Sequence, residues 1–476
     1  MSYQVPQHID KNKIFIVKRS EIEGRLDPKM ALYNQESHST QYHKIQLKKL
    51  LLKAPQYGAG ESGVTRKSYQ EPRYIRITDI DSNGIVNSKE LGATANNIED
   101  KYMLNDGDIL FARSGATVGK TYLHKTKPYM CFYAGYLIRF VVNTSLILPE
   151  YLFAYTQLPI YKKWIAAIQR PSAQPNINAE EYQSLEIPLP NLDIQHYICN
   201  IIKNGYLTKQ KKEAEAQKLL DSIDGYILNE LGITMPKIDC CNNRKIFTLN
   251  KSELSNRYDP YYFQDYFKIS FEEINKCSYP IKTIKELSCL ITSGITPKSG
   301  GDAYTEDQTN GIPFIRSGNI DINGKLDFAD LLYLRPQIHN TTMKSSQVKK
   351  EDLLIAIVGA TIGQVGIYLD EREANINQAI ALVRLKSGIN VQYVKELIKS
   401  SIGQLSLNRL KRPVARANIN LEEISTIKIP LPPLAKQQEI ADHITALRHQ
   451  AAQLQQEGKE ALEKAKQEVE QMILGK

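Results

Sequence analysis

The segment SGATVGKT at 114–121 is the first place to look for chemistry, because glycines ahead of a lysine and a hydroxyl residue can turn backbone amides towards a phosphate. Spacing argues against that use. A nucleotide-binding loop of this kind needs four residues between its glycines, whereas Gly115 and Gly119 enclose three, so the segment reads as a tight turn after a strand. Asp259, Pro260, Tyr261 and Tyr262 set an acidic group beside aromatic rings, a combination that can hold a flipped adenine. No second proline and no glycine-rich cofactor loop accompany them, and an earlier Asp-Pro at 27–28 is followed by Lys29 and Met30 without a ring, so a turn opening a domain is expected. The six cysteines, Cys131, Cys199, Cys240, Cys241, Cys277 and Cys289, contain no CxxC pair, and His38 with His43 lacks a third ligand, so no metal site is expected. No acidic pair with an accompanying lysine stands out on a strand, and no catalytic residue is named.

What remains is basic residues suited to a polyanion. Lys and Arg outnumber Asp and Glu by 61 to 52, a net charge of +9 that is compatible with nucleic acid and does not by itself require it. DNA contacts need Arg and Lys on loops for phosphates, and a subset of Arg, Asn and Gln for base edges. The candidates are Arg73, Arg76, Arg113, Lys120 and Arg170 in the first half, and Lys298, Arg316, Arg409, Lys411, Arg412 and Arg416 in the second. The densest patch is 409–416, just before Asn418-Ile419-Asn420.

The elements that must position these residues occur twice. RPSAQPNINAEEYQSLEIPLP at 170–190 matches RPVARANINLEEISTIKIPLP at 412–432 in its Arg-Pro, Asn-Ile-Asn, Glu-Glu and Ile-Pro-Leu-Pro positions. Upstream, DGDILFARSGATVGKTY from Asp106 matches KEDLLIAIVGATIGQVGIY from Lys350, YIRITDID at 74–81 matches FIRSGNID at 314–321, and RLDP at 25–28 matches RYDP at 257–260. The order is kept, and an offset near 240 residues is too long for a solenoid, so each copy is a whole domain with a connector. Short β-branched and aromatic runs between Gly, Asn and Asp turns predict strands mixed with short helices, an α+β domain.

After each IPLP string the pattern becomes helical, because the prolines end the strand and a Gln-rich, apolar-periodic segment follows. The first long helix is expected from about Leu192 to Leu231, with Ile198, Ile202, Leu219, Ile223 and Ile227 on one stripe and Gly232 as its stop. The second starts near Leu434 and sets Ile440, Ile444, Leu447, Ala451 and Leu454 at alternating spacings of four and three, a heptad seam. At 1.5 Å per residue each spans roughly 60 Å and needs a partner along its stripe, for which the other helix is the economical choice. The chain then divides into an α+β domain at 1–190, a central helix at 191–232, a second α+β domain at 233–432 and a C-terminal helix at 433–476. The fold class is two tandem pseudo-symmetric α+β domains whose long helices pair as an antiparallel coiled coil. No apolar run approaches the roughly 18 residues of a membrane span, and the cysteine usage suits a reducing cytoplasm.

The ordered set of DGDILFARSGATVGK, NIN-x-EE and IPLP-x-L before a Gln-rich helix, given twice at this spacing, resembles the DNA-specificity subunit of type I restriction-modification systems over nearly the whole chain. The resemblance implies two target-recognition domains reading the halves of a bipartite, gapped DNA sequence, with the helices setting the gap. It implies a non-catalytic chain without a cofactor of its own. Two modification subunits would carry S-adenosylmethionine and methylate adenine at N6, and restriction subunits would add ATP- and Mg-dependent cleavage. Lys120 in the first copy is Gln364 in the second, a departure that puts a shared phosphate contact there in doubt. A coiled-coil scaffold without a DNA role, or an enzyme that modifies DNA by itself, are the alternatives.

Overall fold

The computed structural model describes residues 16, 28–35, 40–87, 90–169, 175–236, 248–250, 254, 258–298, 301–411 and 417–475. Two compact units form, one from residues 1–213 with 455–476 and one from 214–454. The division follows space rather than chain order, because both long helices contribute to both units.

In the first unit a four-stranded antiparallel sheet runs in the order Gln56–Tyr57, Leu137–Phe140, Ile109–Ala112, Thr121–Leu123. A second sheet orders Val64–Thr65, Ala93–Thr94, Arg73–Ile75 and Cys131–Tyr133, the last pair parallel. Strand residues point alternately to opposite faces, so Ile109–Ala112 buries both of its faces. Ile109 and Phe111 meet Ile138, Phe140 and the helical layer, while Leu110 and Ala112 meet Ile75 and Tyr133 of the other sheet. The second unit repeats the scheme with Leu353–Ala356: Leu353 and Ile355 face the helices, and Leu354 faces Ile315 and Ile376. In each unit the IPLP strand returns to the start of its domain, Glu186–Pro188 beside Lys44–Gln46 and Lys428–Pro430 beside Ile281–Thr283. Proline has no N–H for a ladder, so each strand stops there and a long helix begins.

Those helices are Leu192–Glu230 and Leu434–Leu474. In the first unit Gly205 lies against Leu462 and Ala465, and Lys212 pairs with Glu457 at 2.6 Å. In the second, Tyr226 lies on His443, and Glu230 pairs with Lys436 at 2.6 Å. One residue number rises as the other falls, so the pairing is antiparallel in both units. The stripe residues also complete the domain cores: Ile198 and Ile202 join Val469 and Ile473 in the first, and Ile223 and Ile227 join Ile440 and Ile444 in the second.

A reciprocal pair of helix caps ties the domains to these rods. The helix Pro159–Ile168 receives Glu470 of the C-terminal helix on its Ile160 amide at 2.7 Å. The helix Ser401–Leu410 receives Asp224 of the central helix on its Ser401 amide at the same distance. A carboxylate at a helix N-terminus satisfies an orphan donor and meets the positive end of the dipole.

Close helix contact makes a specific demand at Gly205, where an added Cβ would lie 2.8 Å from that of Ala465. Gly205→Leu is expected to cost about 1–3 kcal/mol in chemical denaturation by overpacking. Gly225 has nothing within 4 Å of such a Cβ, so Gly225→Ala should instead gain up to about 1 kcal/mol of helix propensity. Equal effects at the two sites would contradict this packing.

Lys399 in the second unit holds its Nζ out of water with no hydrogen-bond partner. Burial first, and then the Arg448 charge, push its ammonium down to about 8, against smaller opposing pulls from Glu396 and Asp321. A depressed lysine weakens folding while the folded form must carry the proton, and the penalty fades as pH rises through about 8 towards the ordinary value near 10.5. Lys399→Met should therefore raise stability at pH 7 by about 1 kcal/mol and flatten the gain seen between pH 7 and pH 9. A melting series in which the variant is less stable than the parent at pH 7 would contradict this.

Candidate nucleic-acid interface

The GAT-x-G turn is a structural device. Gly115 and Gly119 have φ of 77° and 86°, and Gly359 and Gly363 have 76° and 96°, values that glycine adopts at little cost. Four amides of the first turn donate within the protein: Gly115 to the Pro175 carbonyl, Val118 to Gly115, Gly119 to Ala112 and Lys120 to Thr117. The second turn matches, with Gly359 to Ala417, Ile362 to Gly359, Gly363 to Ala356 and Gln364 to Thr361. Amides engaged in this way do not cradle a phosphate.

The other repeated motifs are also framework. Asn178 caps the short helix Ala179–Gln183 by accepting the Glu181 amide at 2.8 Å, while the Glu181 carboxylate accepts the Asn178 amide at 2.9 Å. Asn420 and Glu423 repeat this capping box. Asp79 accepts the Arg76 amide at 2.8 Å and Asn319 accepts the Arg316 amide at 2.9 Å. Asp81 and Asp321 then close hairpins by accepting the amides of Ile85 and Lys325. Asp259 caps the turn Pro260–Phe263 through the Tyr262 amide at 3.1 Å, as expected of a turn opening a domain.

The basic candidates separate by environment. Arg73 is corrected to an interior residue: it is 2% exposed, donates Nη1 to the Asn87 carbonyl at 2.8 Å and packs under Gly92. Arg409 is partly buried, its guanidinium 4.0 Å from the Tyr262 ring centroid and its Nε donating to the Tyr262 carbonyl at 3.1 Å. Cation–π stacking and a carbonyl partner suit an arginine that pins the domain's opening turn. Lys120 turns its Nζ to the Ile80 carbonyl at 3.2 Å. Lys411 donates to Asn408 at 2.8 Å, and burial holds its ammonium below the ordinary lysine value. Arg76 binds Asp79 through Nε and Nη2, and Arg316 reaches Asp330 at 3.2 Å. Lys298 is exposed. Arg170, Arg412 and Arg416 lie outside the described residues, as do Arg25, Arg257, His38, Cys240 and Cys241.

One concave surface gathers what is left. In the first unit a groove of about 710 Å³ is lined by Glu61, Arg76, Arg113, Ser114, Tyr136 and Asn176, among others. Arg113 lies 4.9 Å from the Tyr57 ring centroid, Tyr57 in turn accepts the Ala179 amide, and the Nε of Arg113 is buried without a partner. Tyr136 is 62% exposed. No motif in the sequence marks Glu61, Tyr57 or Tyr136, and Asn176 shows there only as part of NIN; their common trait is convergence from separate stretches of chain. The second unit presents exposed Ile295 and Asn418, and a Thr296–Gln378 side-chain contact, on equivalent elements.

Two copies of one α+β scaffold, alike in their turns and caps and different in the side chains they present, define a tandem two-site recognition protein. A model of the type I restriction modification DNA specificity domain matches residues 61–219 and 278–464. The chain is 26% identical over 428 residues to a Methanocaldococcus jannaschii protein assigned as the MjaX type I restriction enzyme specificity subunit, spanning 87% of this chain and 89% of that one. It is 32% identical over 143 residues to the EcoBI type I restriction enzyme specificity subunit of Escherichia coli, 30% of each chain. A chain from a solved type I R-M system, studied for complex assembly and conformational transition, shares the fold at a TM-score of 0.50 and 14% identity, covering 90% of this chain and 96% of that one. This chain belongs to the type I restriction-modification DNA-specificity family.

Proposed function

We propose that the chain is the sequence-reading, non-catalytic subunit of a type I restriction-modification complex, each domain taking one half of a bipartite, gapped duplex target. The observation that carries this is the duplication itself: two equal scaffolds that keep their turns and caps while changing the surface side chains, as two readers of different half-sites require. The paired helices set the gap and dock two modification subunits, which bring S-adenosylmethionine and methylate adenine N6. Restriction subunits bring ATP- and Mg-dependent cleavage, and this chain needs no cofactor of its own. The names of the relatives and the family support the same reading.

Duplex binding by the full chain tests it. Each phosphate neutralised by Lys or Arg releases counterions, so affinity should fall about tenfold between about 50 and about 200 mM salt for as few as about two phosphate contacts. A coiled-coil scaffold without a DNA role predicts no duplex shift at any salt. Methylation of DNA by the chain alone would favour a self-contained enzyme instead.

A further inference from the structure

We infer that Arg113 reads a guanine edge in the half-site taken by the first domain. The inference rests on the DNA-reading role proposed above and assigns one residue to one contact within it.

The duplication serves as an internal control. Position 113 and position 357 hold the same place in the backbone: the Arg113 amide donates to the Tyr136 carbonyl at 3.0 Å and the Ile357 amide to the Ala379 carbonyl at 2.9 Å. Their carbonyls accept the amides of Ile177 and Ile419, the middle residues of the two NIN strings. Ile357 is 4% exposed and joins the core of its unit, so the scaffold accommodates an apolar side chain here and has no need of an arginine. What both copies keep belongs to the fold; what only one carries is open to a role in binding.

Arg113 bears a charge at the wall of the groove and leaves its Nε without a hydrogen-bond partner. Arg73 and Arg139 also bury an unpartnered Nε, so what sets Arg113 apart is that its side chain lines an open groove, where a ligand can bring acceptors to the terminal nitrogens of the guanidinium. The Tyr57 ring stacks on the guanidinium and limits its freedom, and Tyr57 is fixed by the Ala179 amide. A planar fork held in this way matches the two acceptors, O6 and N7, that guanine shows in the major groove.

The rest of the groove points to a base rather than a phosphate. Glu61, Ser114 and Asn176 are among the lining residues; the Glu61 carboxylate accepts from Asn97 at 3.4 Å, while the Ser114 hydroxyl and the Asn176 amide both donate and accept. Groups that both donate and accept suit a base edge, which offers donors as well as acceptors, whereas a phosphate diester offers acceptors only. Arg76 lines the same groove but is engaged with Asp79, and its counterpart Arg316 recurs in the second copy, so it belongs with the framework.

The test is selection of bound duplexes from a random library by the full chain, comparing the parent with Arg113→Ile and Arg113→Lys. The isoleucine is the second copy's own residue, and the lysine keeps the charge while losing the fork. The parent should enrich a two-part sequence with guanine fixed at a position that both variants relax by about tenfold or more, leaving the other half unchanged. An unchanged sequence with either folded variant overturns the inference, as does uniform weakening at all sequences, the mark of a phosphate contact. If Arg113→Ile fails to fold by circular dichroism, Arg113→Lys decides alone. A parent that enriches no sequence overturns the DNA-reading role itself, an outcome distinct from the failure of Arg113.

Discussion

Glu396→Ala is expected to destabilise the second unit by about 3 kcal/mol, the cost of leaving the buried Lys395 and the partly buried Arg448 without their carboxylate. Glu396 is 1% exposed, with Arg448 at 2.6 Å on one side and the Lys395 ammonium at 3.0 Å on the other. Burial alone would raise its carboxyl, but the Lys395 charge and the Arg448 hydrogen bond outweigh it and hold the group below the ordinary carboxylate value. A lowered carboxyl stabilises the fold above its unfolded pKa and loses that contribution as pH falls through the folded one. Urea denaturation should therefore separate parent and variant widely at pH 7 and less in acid. Glu396→Leu combined with Arg448→Leu should recover part of the loss, because the unpaired arginine goes with its partner. A loss below about 1 kcal/mol for the single variant, or no recovery in the double, would contradict a buried ion-paired cluster.

The second large effect is expected at the paired glutamines that open the long helices. Gln195 is 0% exposed; its Oε1 accepts the Leu148 amide at 2.8 Å, and its Nε2 donates to the carbonyls of Leu146 at 3.1 Å and Pro190 at 2.9 Å. Gln437 does the same work in the other copy, accepting the Asn390 amide at 3.0 Å and donating to the Pro432 carbonyl at 2.8 Å. Each side chain fastens the helix start to the loop before the domain's own helix. Gln195→Leu leaves three backbone groups without partners and should cost about 3 kcal/mol; Gln437→Leu leaves two and should cost about 2 kcal/mol. Thermal unfolding of the two variants checks both the size and the order. A cost of about 0.5 kcal/mol or less at Gln195 would mean that water replaces the side chain, contrary to its burial.

Local pattern carried much of the architecture. The proline pair after each strand and the four-three spacing of Ile440, Ile444, Leu447 and Ala451 mark the long helices and their seam, and the helices run as that pattern predicts. The N-x-x-E signature at Asn178 and Asn420 stands in the sequence as part of the repeat, and the fold makes it a capping box. Contacts between distant residues were not legible. Counting charge puts Arg73 on the surface, but its partner Asn87 and the space under Gly92 are set by sheet pairing. Arg409 likewise meets Tyr262 from far along the chain. The groove draws on stretches around Glu61, Arg76, Arg113, Tyr136 and Asn176, which no periodicity links. Comparing the copies, rather than either alone, is what separates a structural arginine such as Arg76 from Arg113.

In the role proposed above, the chain dictates a two-part DNA sequence to partner subunits that methylate adenine. Co-expression with a matching modification subunit, followed by mapping of N6-methyladenine across a genome at single-base resolution, addresses it most directly. A gapped, two-part motif that vanishes when this chain is omitted is the expected result. A complex that forms while methylation shows no such motif, or shows the same motif without the chain, would contradict it.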